Sequence, residues 1–128
     1  MNLLDLEIKI KDGRYCLENE TISYEISKDF YDLYLSKYNK NRLIISVRPS
    51  DIRIIPKPKK NSIQAMVTLV ESRGSENHIH LSVGSSKMIV KTGVDVRPSI
   101  YNEINIFFKE ENVYLFDIET GNSLKYTS

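Results

Sequence analysis

Residues 4–13 read LDLEIKIKDG, and residues 65–74, displaced by 61 positions, read AMVTLVESRG. In the first stretch Leu4, Leu6, Ile8 and Ile10 alternate with Asp5, Glu7 and Lys9, so the apolar set lines one face of a strand and the charges the other. Asp12-Gly13 follows, a pair that tolerates positive φ in a tight hairpin turn. In the second stretch Ala65, Val67 and Leu69 fall on Leu4, Leu6 and Ile8, and Gly74 falls on Gly13. The same displacement lays residues 43–54, LIISVRPSDIRI, on residues 104–115, INIFFKEENVYL, without a gap. Leu43, Ile45, Val47, Ile52 and Ile54 then meet Ile104, Ile106, Phe108, Val113 and Leu115. Apolar positions and turns recur together, which is the signature of an internal repeat.

Working outward, Arg14 to Glu18 return as the partner of the first strand, Asn19-Glu20 turn, and Ile22, Tyr24 and Ile26 alternate again. The period then lengthens. Phe30, Leu33, Tyr34 and Tyr38 predict one helix over residues 28–38, capped by Ser27 and ended by Asn39-Lys40-Asn41. Arg42 to Val47 read as a buried strand stopped by Pro49, which has no amide proton for a ladder, and Ile52 to Ile55 as a short one. Pro56-Lys57-Pro58-Lys59-Lys60 is a stiff, solvated connection. Beyond it strands are expected over Ile63 to Leu69, Ile79 to Val83, Lys87 to Lys91, Glu103 to Phe108 and Val113 to Phe116, with Thr92 to Tyr101 in place of the helix. The fold class is therefore all-β with one short helix, built as tandem small Greek-key barrels of the oligonucleotide/oligosaccharide-binding (OB) type. The halves are residues 1–56 and 61–117, with a tail over 118–128, and they are expected to pack together or exchange strands, since each alone would be marginal.

Composition agrees. Of 128 residues 41% are apolar, and 16 Ile and 8 Val against a single Ala favour pleated surfaces over helices. A net charge of +1 lacks the basic footprint of a nucleic-acid binder, so no nucleic-acid partner is expected. No apolar run approaches the roughly 18 residues of a membrane span. The single Cys16 excludes an internal disulfide, and with no leader pattern at the start a reducing cytoplasm is the expected setting.

Catalytic chemistry finds few candidates. His78 and His80 lie two apart on one strand face and read as solvated, because a zinc site wants three or four ligands and neither CxxC nor HExxH occurs. Cys16 reads as packing, and Glu110-Glu111 as a solvated hairpin turn. There is no phosphate loop and no glycine-rich dinucleotide turn. No catalytic, cofactor-binding or metal-binding residue is assigned, and the chain alone is not expected to hydrolyse a nucleotide.

Five segments in series carry a family resemblance: Met1-Asn2-Leu3-Leu4, the VRPSD turn from Val47 to Ile52, Val70-Glu71 with Gly74-Ser75-Glu76, Val113 to Asp117, and Thr120-Gly121. Together, from Met1 to about Leu124, the chain resembles the carboxy-terminal regulatory region of ATP-binding subunits of ABC importers for sugars, the maltose and glycerol-phosphate type. Two departures are visible: Ser50 stands where the family usually has an acid, although Asp51 follows, and a second VRPS at Val96 to Ser99 reads as a chance turn.

The resemblance implies a tandem, molybdate-binding-protein-like barrel that follows a nucleotide-binding domain, with Met1 at a position interior to the family's chains. It implies a non-catalytic domain with the parent subunit's own ATPase domain and a second copy as partners, a membrane-embedded permease as an indirect one, and a regulatory protein as a further candidate. ATP and Mg belong to the ATPase domain, and the setting is the cytoplasmic, inner face of the membrane. Partner or ligand contacts are expected at Arg48, Asp51, Arg73, Ser75 and Glu76. The alternative function is a small-ligand sensor for an oxyanion or sugar, drawing on Arg73, Ser75 or Arg97.

Overall fold

The computed structural model describes residues 1–125. In chain order the elements are β1 (Asn2–Lys11), β2 (Arg14–Glu18), β3 (Ser23–Ile26), α1 (Lys28–Tyr34), β4 (Arg42–Val47), a 3-10 turn (Pro49–Asp51) and β5 (Arg53–Ile55). The second set is β6 (Ile63–Ser72), β7 (Asn77–Val83), β8 (Ser86–Thr92), β9 (Glu103–Phe107), a second 3-10 turn (Glu110–Asn112) and β10 (Tyr114–Asp117). β1 and β6 begin and end 61 positions apart, as do the two 3-10 turns, so the repeat in the sequence is a repeat of elements. The class is all-β with one helix.

Two five-stranded sheets result, ordered β10-β4-β1-β2-β3 and β5-β9-β6-β7-β8. Four strands of each follow the spatial order of a Greek key, the fourth lying beside the first. The fifth place is exchanged between the sequence halves. β5, encoded before residue 56, pairs antiparallel with β9 through Ile54↔Ile106, whereas β10 pairs with β4 through Leu115↔Ile45. Hydrogen bonding thus regroups the fifth strands across the boundary that the repeat draws near residue 56.

The first compact unit comprises Leu3–Ser46 and the chain from Val113 on. Its core is built from the inward faces of its strands, with Leu4, Leu6, Leu17, Tyr24, Ile45 and Leu115 all buried. Asp12 (φ 50°) and Gly13 (φ 76°) both take positive φ, the requirement of a type I′ turn whose twist matches the flanking strands. Ser27 caps α1, its Oγ accepting from the Phe30 amide at 3.1 Å. The helix ends at Tyr34 and not at Tyr38, because Leu35 has left helical geometry (φ −120°, ψ −13°). That departure buries Leu35 to 1% exposure and leaves Leu33, expected on the inner face, 72% exposed. Tyr38 serves elsewhere: its hydroxyl donates to the Arg42 carbonyl at 2.7 Å and accepts from the Ile118 amide at 3.2 Å. Beyond β10 the chain folds back on it, the Leu124 amide donating to the Leu115 carbonyl at 2.8 Å. The tail expected over 118–128 is thus ordered against β10 as far as it is described; its last three residues lie outside the described ones.

The second unit comprises Met1–Asn2 and Val47–Asn112. Alternate residues of β6, β7 and β8 form its core, among them Ala65, Val67, Ile79, Leu81 and Val90, and Ile106 of β9 is likewise buried. Where the first unit spends α1, this unit has the loop between β8 and β9. Buried Asn77 holds that loop, its Nδ2 donating to the Val94 and Val96 carbonyls at 3.2 and 3.0 Å. Among the described residues no helix is long and apolar enough to cross a membrane.

Candidate functional site

Three of the expected contact residues meet at the β6–β7 hairpin. Gly74, at φ 76°, closes the turn, the Arg73 amide donates to the Glu76 carbonyl at 2.8 Å, and the register sets Ser72 opposite Asn77 and Glu71 opposite His78. Ser75 is exposed at the tip. The ring Nε2 of His78 lies 2.7 Å from Glu76 Oε2, and that of His80 hydrogen-bonds Glu71 Oε1. An ionised carboxylate can only accept, so both Nε2 atoms carry the proton. Glu76 also faces Lys91 at 3.3 Å, and Glu71 faces Arg73 at 3.5 Å. The hydrogen bond from His80, helped by Arg73, holds the Glu71 carboxyl below the usual range, and that from His78, helped by Lys91, does the same for Glu76. The histidines expected to be solvated are therefore half-buried and engaged by carboxylates. For His80 the missing information was the hairpin register, which brings Glu71 to it across the strands, whereas Glu76 lies only two residues before His78 in the chain.

Arg48 and Asp51 bracket the first 3-10 turn, the Asp51 amide donating to the Arg48 carbonyl at 2.9 Å. Pro49 takes the first helical position, where its lacking N–H costs nothing. Arg97 is spent locally, its Nε donating to the Val94 carbonyl at 3.3 Å. A cavity of about 240 Å³ adjoins the turn, lined by Asp51, Arg53, Lys59, Phe107, Lys109 and Asn112 together with neighbouring backbone. Of these only Asp51 figured among the expected contacts; β5 and β9 bring the others together by pairing Arg53 with Phe107, which no linear spacing announces.

Cys16 is half-buried in β2, and burial, reinforced by Glu18 and Glu25, pushes its thiol pKa up, which suits packing better than nucleophilic attack. Among the described residues no group of three or more His, Cys, Asp and Glu is placed to hold a metal ion.

Comparisons with known proteins place this geometry. The chain is similar to the trehalose/maltose import ATP-binding protein MalK of Thermococcus litoralis, 27% identical over 92 residues, covering 68% of this chain and 25% of that protein. It is similar to the xylose/arabinose import ATP-binding protein XacK of Haloferax volcanii, 30% identical over 89 residues, covering 65% of this chain and 23% of that one. The chain thus spans about a quarter of the length of these two relatives. Among solved structures the cytoplasmic molybdate-binding protein ModG, with molybdate bound, superposes with a TM-score of 0.65 at 10% identity, covering 89% of this chain and 94% of that one. That likeness shows the shared fold. The family match runs over residues 45–116, from β4 through both 3-10 turns to β10, and with it the chain belongs to the TOBE domain family.

Proposed function

We propose that this TOBE domain is the non-catalytic regulatory and dimer-forming module of an ATP-binding subunit of an ABC importer for sugars or related solutes. The observation that carries the reading is the similarity to two sugar-import ATP-binding proteins over a segment that makes up about a quarter of each. Residues 1–128 act as one regulatory domain made of two OB-like halves. Its partners are the subunit's own ATPase domain, which binds ATP and Mg, a second copy of the domain, and through them a permease in the membrane; the setting is the cytoplasmic face. Arg48, Asp51, Arg73, Ser75 and Glu76 supply the contacts, because the turn and the hairpin present them at the surface of one unit. Sedimentation equilibrium of the full chain tests the dimer: a concentration-dependent dimer that R73E/S75R weakens supports it, and monomer at every concentration overturns it.

The likeness to a molybdate-binding fold favours a second reading, a sensor of a small oxyanion or sugar. Calorimetry with molybdate, sulfate, maltose and trehalose separates the two, since uniformly absent heat removes the sensor.

A further inference from the structure

We infer that the cavity beside the first 3-10 turn, formed by Asp51, Arg53, Lys59, Phe107, Lys109 and Asn112, is a binding site for a small phosphorylated polyol. This site is separate from the hairpin residues and Arg97 considered above and does not depend on the second reading.

The argument begins with unspent charge. In a chain of net charge +1, three cations converge on one cavity of about 240 Å³ against a single carboxylate. Several charges elsewhere are paired, Arg42 with Asp5, Lys40 with Asp117, Lys28 with Asp32 and Lys91 with Glu76, while single cations such as Arg14 and Lys87 neither line this cavity nor join an ion pair among the described residues. Arg53, Lys59 and Lys109 have no ion-pair partner among the described residues, and neither has Asp51. Like charges gathered without a counter-ion repel one another, so an anion that joins them is favoured.

The framework is fixed by backbone. Arg53 stands on β5 directly opposite Phe107 on β9. Lys59 is held by a local turn, its amide donating to Ser62 Oγ at 2.9 Å, and its ammonium lies 3.7 Å from the centre of the Phe107 ring. Lys109 and Asn112 are joined by the second 3-10 turn, the Asn112 amide donating to the Lys109 carbonyl at 3.0 Å. The two 3-10 turns, which correspond in the repeat, therefore supply residues to the same cavity: Asp51 from the first, Asn112 from the second.

Chemistry and size select the ligand. A phosphate monoester carries about −1.5 to −2 charge near neutral pH, which balances three cations less one carboxylate. Guanidinium and ammonium donors form short, charge-assisted bonds to its oxygens. Asp51 and Asn112 remain for hydroxyl groups, and the Phe107 ring and Ile55 give the carbon skeleton an apolar wall. The volume falls below the roughly 300–1,000 Å³ of drug-sized sites, which limits the ligand to a small metabolite.

The test is calorimetry on the full chain with glucose 6-phosphate, inorganic phosphate and glucose as separate probes. Glucose 6-phosphate should bind, with affinity falling as salt rises; inorganic phosphate should bind about fivefold or more weakly, having no skeleton for Phe107 and Asp51 to hold; glucose should give no heat. R53Q/K109Q should weaken the ester by about tenfold or more, and R14Q, at an exposed cation that does not line the cavity, should leave it unchanged. Backbone amide shifts on titration should centre on Arg53, Lys109 and Asn112, a readout that needs no variant. Absent heat with both phosphates, glucose binding as well as its ester, an unweakened double variant, or shifts centred elsewhere would each overturn the inference.

Discussion

Asn2 and Ile89 exchange two hydrogen bonds: the Asn2 side-chain Nδ2 donates to the Ile89 carbonyl at 2.9 Å, and the Ile89 amide donates to Asn2 Oδ1 at 2.6 Å. β8 is the edge strand of its sheet, and one carboxamide, 5% exposed, does for that edge what a neighbouring strand would do. Asn2→Ala strips both partners from buried backbone groups and should cost about 1–3 kcal/mol. Asn2→Asp keeps the acceptor, loses the donor, and sets an anion against the Ile89 carbonyl, so it should be no better than alanine. Urea denaturation of the three proteins checks this; a neutral Asn2→Ala would show that the edge needs no partner.

The β1–β2 turn tests backbone conformation in isolation. A Cβ added at Gly13 would meet nothing within 4 Å, so steric crowding from neighbours drops out. What remains is the positive φ, which an L side chain adopts at a cost of about 1–2 kcal/mol. Gly13→Ala should therefore lower the thermal midpoint while leaving the amide spectrum of β1 and β2 in place. A midpoint equal to that of the parent would refute the conformational argument.

Ile106 has no exposure at all and stands between two partners, opposite Ile54 on β5 and Ile63 on β6. Ile106→Val should cost about 0.5–1.5 kcal/mol and Ile106→Ala about 2–5 kcal/mol, the larger loss including the cavity left behind. Chemical denaturation gives both values. An alanine variant as stable as the valine one would mean that the site collapses to fill the space.

The hairpin carboxylates make a prediction about acid. Glu71 is held below its ordinary value of 4.5 by His80 first and then Arg73, so its contribution to stability is fully present above 4.5 and fades as pH falls through the depressed folded value. His80→Val removes the larger cause. The Glu71 carboxyl should then titrate closer to 4.5 in a carbon-detected NMR titration, and that part of the acid loss should begin at higher pH. Glu76, held by His78 and Lys91, should not move, which provides the internal control.

Much of this architecture is legible in the chain because apolar alternation and turn chemistry are local properties. The displacement that sets Leu4 on Ala65 and Val47 on Phe108 reappears in the bounds of β1 and β6 and of the two 3-10 turns. Three things are not local. The end of α1 depends on whether Leu33 or Leu35 finds the core, and a 3.6-residue period admits Phe30, Tyr34 and Tyr38 on one face without weighing Leu35. The partner of His80 depends on register across a hairpin, unlike that of His78, which is two residues away. The cluster around Arg53 and Lys109 depends on which strand lies beside β9, and alternation is silent about neighbours. That Arg48 and Asp51 flank one turn and Arg73, Ser75 and Glu76 form another could be read from the sequence because turn chemistry is local; which side chains strand pairing gathers could not.

The exchanged fifth strands also set an order of assembly on the ribosome. The sheet containing β5 through β9 has all its strands once residue 107 has emerged. The other sheet has four of its five strands by residue 47, yet waits for residues 114–117 to supply β10. Its edge at β4 is bare while the intervening chain is made, and closing so long a loop is slow. The half synthesised first is therefore finished last, and a nascent chain stalled before residue 114 would offer the β4 edge to any extended peptide able to take the absent strand's place.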